Sequence, residues 1–160
     1  MSNTITINNH IYQAKGSVAF SRTAKLYAGK TEHKGKEVES DGVVSIFMGL
    51  LQQDVEKLIA FWHCATSHEK NNQLTPEQIE DYFMEEIDKG TDMLDYFKSA
   101  LEVLNEGGYF KGKMRTYWFM MNTSAKAKSK EEKEESLAQV TMFKDLYQEI
   151  TGKAPYEIIK

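Results

Sequence analysis

His63 and Cys64, with His68 close behind, are the residues whose types first suggest metal or nucleophile chemistry. Adjacent positions on a helix point about 100° apart, so His63 and Cys64 do not converge on one ion without distortion. No second Cys or His pair completes a tetrahedral set at a recognisable spacing. A buried thiol beside two surface imidazoles is the expectation, with no metal and no cofactor. Serines are present, but the G-x-S-x-G elbow, the phosphate-cradling G-x-x-x-x-G-K-[ST] loop and the G-x-G-x-x-G fingerprint are not. Glu85 and Glu86 form a carboxylate pair, yet they sit in a run crowded with other acids, where solvation explains them. The expectation is a protein without a catalytic set.

The segment from Tyr109 to Met121 interleaves bases with rings and methionines. One use of that pattern is a single-strand nucleic-acid platform, in which rings stack bases and cations track phosphates. An ordinary amphipathic core helix explains most of it too. Phe119 and Met120, however, widen the Met114, Tyr117, Trp118, Met121 stripe beyond a normal core face. The preferred expectation is therefore a partner-binding surface made of Tyr109, Phe110, Met114, Tyr117, Trp118, Phe119, Met120 and Met121, centred on Trp118.

Charge is unevenly placed around that segment. Residues 77–95 carry eight acids against Lys89 alone, while residues 111–130 carry six bases and no acid. Solvated helix faces account for such runs in most proteins. The sharper expectation is that Glu80, Asp81, Glu85 and Glu86 on one side, and Lys111, Lys113 and Arg115 on the other, guide weak, salt-sensitive self-association.

These residues need a scaffold, and 160 residues with 41% hydrophobic and 28% charged content suit one soluble core. The net charge of −4 argues against a general nucleic-acid binder. No apolar run approaches the roughly 20 residues that span a bilayer. The polar start MSNTITINN lacks signal-peptide character, and a single cysteine excludes an internal disulfide, so a cytoplasmic protein is expected.

Along the chain, Thr4–Ile7 and Ile11–Ala14 alternate like strands around Asn8-Asn9-His10, which predicts a short-looped hairpin. Val18, Phe20, Ala24, Leu26 and Tyr27 predict a helix ending at Gly29. Residues 30–41 read as a mobile polar linker. Residues 42–68 are helical, as one helix or as two broken near Gly49–Asp54. Thr75-Pro76-Glu77-Gln78 is a capping box, opening a helix that carries Ile79, Tyr82, Phe83 and Ile87 inward and stops at Gly90. The next helix buries Leu94, Phe97, Leu101 and Leu104. Ala125–Ser136 is a charged connector, either an exposed helix or flexible, and a last helix runs from Leu137 to Gly152. The expected fold is mainly α, a bundle of about five to seven helices with a small N-terminal β-hairpin. Its divisions are a core over 1–124, a connector over 125–136, and a C-terminal helix and tail over 137–160.

In this order, TITINNHIYQAKGSVAFSRTAKLY, DGVVSIFMGLLQQDVEKLIAFWHCATSH, LTPEQIEDYFMEE and GTDMLDYFKSALEVLNEGGYFKGK resemble the tail assembly chaperones of long-tailed, siphovirus-type phages of Gram-positive hosts. The resemblance covers roughly residues 4–121. It implies a non-catalytic chaperone of the infected host cytoplasm, absent from the mature virion. Such a protein binds the helical tape-measure protein and helps recruit tail-tube subunits, in many cases through a longer frameshift product. The alternative is a small nucleic-acid-binding regulator using residues 109–130.

Overall fold

Thr4–Ile7 (β1) and His10–Gln13 (β2) pair antiparallel with Ile7 opposite His10, leaving only Asn8 and Asn9 in the loop. Both asparagines have positive φ, 53° and 63°, the signature of the two-residue type I′ turn whose twist suits paired strands. Ile5 and Tyr12 face each other across the pair and are buried, while Ile11 on the other face is exposed. The hairpin thus rests one face on the helices, which a lone two-stranded ribbon needs for stability. The Tyr12 hydroxyl ties it to the Asn72 carbonyl at 2.8 Å.

The computed structural model describes residues 3–33, 35–126 and 129–156. After the hairpin, Ser17 caps helix α1 (Val18–Ala24), which tightens into a single 3₁₀ turn over Lys25–Tyr27. Phe20 and Ala24 are buried, whereas Val18 and Leu26 of the same apolar pattern are exposed. Seven residues make only two turns, too short to turn every apolar residue inward.

The stretch 30–41 is not a linker. Lys30–His33 (β3) and Lys36–Glu39 (β4) form a second antiparallel hairpin, turned at Gly35 with φ 75°. Its base is closed by Ser40, whose hydroxyl accepts from the Gly29 amide at 2.9 Å. The polar sequence of the two strands, KTEH and KEVE, hid it, since it leaves no apolar period to read.

Asp41 caps α2 (Gly42–Leu51) and Asp54 caps α3 (Val55–Ala65), so the 42–68 region is two helices. The break falls at Gln53, whose φ of 55° no helix tolerates. The capping box at Thr75 and Gln78 forms as expected and starts α4 (Pro76–Asp88). Helix α5 (Leu94–Asn105) follows, with the Asp92 carboxylate accepting from the Leu94 amide at 2.9 Å. Helix α6 (Lys111–Lys126) and helix α7 (Lys130–Thr151) complete the bundle, and Gly152, at φ 77°, ends α7. The first turns of α7, residues 130–135, are an exposed charged helix.

The fold is mainly α, with seven helices among the described residues and the small hairpin at its N-terminal end. One apolar cluster runs from Ile5 and Tyr12 through Phe20, Phe47, Phe61, Phe83, Phe97 and Trp118 to Tyr147. α2 and α3 form its middle, with α4 against α3 and with α5, α6 and α7 packed together on the other side.

Candidate functional site

Helix α6 carries the segment whose pattern pointed to a partner, and its two sides have different fates. Phe110, Met114 and Trp118 follow at intervals of four, the helical repeat, and all are 2% exposed or less. Phe110 meets Phe20 edge-on, with ring centroids 5.0 Å apart. Trp118 stands edge-on to Phe47 at 6.0 Å and lies 5.9 Å from Tyr156. Its indole N–H donates to Asn105 Oδ1 at 3.1 Å, and its carbonyl accepts from Asn122 Nδ2 at 3.0 Å. Tyr117 and Met121 are half-buried against the same core.

Of the eight residues expected to form one surface centred on Trp118, the structure buries Phe110, Met114 and Trp118 in the core. Tyr109, Phe119 and Met120 are exposed, Phe119 by 67% and Met120 by 61%. Of the rings and bases in the alternative nucleic-acid platform, Phe110 and Trp118 are core, and Lys113 is in an ion pair with Asp41, the residue that caps α2.

The acidic side is also thinner than expected. Glu86 is half-buried, within 3.5 Å of Lys89 Nζ, and accepts from the Tyr96 hydroxyl at 3.4 Å. Glu80, Asp81 and Glu85 remain exposed on α4, as Lys111 and Arg115 do on α6. Ile87, expected inside, is exposed beside Met84.

Two apolar surfaces escaped the sequence pattern. One is the Met84–Ile87 pair on α4. The other is a shallow groove on α7 lined by Ala138, Thr141, Met142, Asp145, Leu146 and Glu149. Ala138, Met142 and Leu146 recur every four residues, a spacing present in the sequence but overshadowed by the stronger Val140, Phe143, Tyr147 stripe.

The His63–Cys64 region holds no converging ligand set. Cys64 is fully buried, and burial pushes its thiol up to about 12. His63 is half-buried rather than on the surface, its Nδ1 2.8 Å from the Tyr27 hydroxyl. Among the described residues no group of three or more His, Cys, Asp or Glu side chains is arranged to hold a metal ion. Among them, too, no helix is long and apolar enough to cross a membrane.

A family model described as phage tail assembly chaperone protein, TAC, matches residues 4–117, from the first residue of β1 into α6. The chain belongs to the phage tail assembly chaperone family. No curated protein and no solved structure matches it. Tail assembly chaperones are generally non-catalytic and interact with phage tail proteins. In this tail assembly chaperone the end of α6 and all of α7 lie beyond the matched residues. They still complete the same core through Trp118, Phe143 and Tyr147.

Proposed function

We propose that this chaperone binds the helical tape-measure protein of a long-tailed, siphovirus-type phage of a Gram-positive host and assists tail-tube assembly. It works in the host cytoplasm, stays out of the mature virion, and reaches tail-tube subunits through a longer frameshift product. Family membership supports an assembly role. The observation that carries the choice of partner is the α7 groove. Ala138, Met142 and Leu146 at four-residue intervals are the receiving half of a helix-in-groove contact, which an amphipathic helix fills with its own apolar stripe. Asp145 and Glu149 beside the groove favour a partner helix with basic flanks. Met142 and the exposed Met120 on the neighbouring helix are flexible and polarizable, which suits a long partner of imperfect repeats. Tyr109 and Phe119 are the other exposed members of the aromatic segment.

Co-expression with helical segments of the tape-measure protein tests this. The wild-type chain is expected to co-purify with them, and Met142→Asp with Met120→Asp to lose them while circular dichroism stays unchanged. Full retention by the double variant would overturn the assignment of the groove. Finding the chain in purified virions by mass spectrometry would overturn its absence from the particle.

A further inference from the structure

Helix α1 buries Phe20 and Ala24, so Ala19, Arg22 and Thr23, at spacings of three and four, share a neighbouring face. α1 packs on α3, and beside that contact lies a cavity of about 220 Å³. Arg22 and Thr23 line it from α1 and His63 from α3, with Thr66 and Ser67 just after α3 and Gln73 from the chain leading into α4. Pockets for drug-sized ligands run to about 300–1,000 Å³, so this one suits a small group, such as one side chain, and not a nucleotide.

The polar groups around the cavity fall into two sets. Thr66 and Ser67 have spent their hydroxyl protons, on the Trp62 carbonyl at 2.7 Å and the Cys64 carbonyl at 2.5 Å. The same two carbonyls accept from the Thr66 and Ser67 amides, which answers the negative end of α3 locally. The side chains of Arg22, Thr23 and Gln73, by contrast, have no hydrogen-bond or ion-pair partner among the described residues. His63 uses Nδ1 for the Tyr27 hydroxyl and leaves Nε2 unspent. With that hydroxyl donating to Nδ1, the ring proton sits on Nε2, so all four free groups can donate.

The surrounding charges narrow the ligand. Tyr27 and Cys64, both pushed up to about 12 by burial, stay neutral, while the Glu77 carboxylate acts on both His63 and Tyr27. Arg22 is the one fixed positive charge lining the cavity. A dianion such as phosphate would be met by one cation and repelled by Glu77, whereas a monoanion matches the guanidinium. The planar fork of that guanidinium fits the two oxygens of a carboxylate.

We propose that this cavity binds a carboxylate, Arg22 taking its two oxygens while Thr23, Gln73 and His63 donate around them. The carboxylate is carried by a chain end, by an acidic side chain or by a small free acid. None of the residues lining the α7 groove lines this cavity, so the site stands or falls apart from tape-measure capture.

NMR titration of the full chain tests it with three probes: acetate, acetyl-Gly-Gly with a free carboxylate, and acetyl-Gly-Glu-Gly amide. Each is expected to move the amide signals of residues 19–23 and 63–74 to saturation and to raise the pKa of His63, because an anion favours the imidazolium. Binding should therefore tighten as pH falls from about 7.5 to about 6. Arg22 is exposed, so Arg22→Gln should keep the fold while binding weakens by about tenfold or more, and Arg22→Lys should fall between. The probe bound most tightly identifies the source as free acid, chain end or side chain. Shifts that never saturate, equal shifts with chloride, undiminished binding by Arg22→Gln, phosphate bound more tightly than acetate, or an unmoved His63 titration would each overturn the proposal.

Discussion

The indole N–H of Trp118 donates to Asn105 Oδ1 at 3.1 Å, and the Asn105 amide in turn donates to the Pro155 carbonyl. Through this one buried asparagine, α6 is tied both to α5 and to the chain beyond α7. Asn105→Ala leaves a buried N–H and a carbonyl without partners, a loss of about 1–3 kcal/mol. The expected result is a lower urea midpoint with unchanged slope. In a double-mutant cycle with Trp118→Phe, the two losses should fall short of additivity by about 1 kcal/mol. Strict additivity would show that the bond contributes nothing.

Gly42 opens α2 against the end of α1, and a Cβ there would lie 1.8 Å from the Ala24 carbonyl oxygen. On an exposed helix, Gly→Ala stabilises by up to about 1 kcal/mol. Here the contact is with backbone, which cannot step aside, so Gly42→Ala is expected to destabilise by about 1–3 kcal/mol. Thermal melting decides the sign, and an increased Tm would refute the close approach.

Cys64 combines full burial with a thiol pushed up to about 12. It should resist a disulfide reagent at pH 8 in the native protein and react once per chain in denaturant. Fast native labelling would mean that α3 opens readily.

His63 sits half-buried under the Tyr27 hydroxyl, and desolvation holds its imidazole below the usual histidine range despite Glu77 pulling the other way. Tyr27 itself is pushed up to about 12, mainly by burial. Because the folded value of His63 is lowered, the unfolded chain binds more protons as pH falls through about 6.5, and stability drops in that window. Urea unfolding at pH 7 and pH 5 should show the loss, and His63→Gln should reduce it. Parallel curves for the two proteins would exclude His63 as the source.

How much was legible in the chain differs from element to element. The Asn8–Asn9 turn and the Thr75–Gln78 capping box are decided within a few residues, and both formed as their local chemistry required. The β3–β4 hairpin was not legible, because KTEH and KEVE are polar in sequence and leave no apolar period. The aromatic segment was half legible. Its helical repeat was plain, but a run apolar on many sides does not say which side the core will take.

What the chain determined alone was a set of local facts: turns, caps, helix periods, the lack of a catalytic motif, and a pattern of elements like that of tail assembly chaperones. Those depend on φ preferences, nearby hydrogen-bond partners and spacing, all short-range. Only the tertiary structure decided that Trp118 is a keystone bonded to Asn105, and that Phe119, Met84 and Met142 face outward. Burial is a property of what packs against a residue. For Trp118 that is Phe47, 71 positions earlier, brought beside it by the fold.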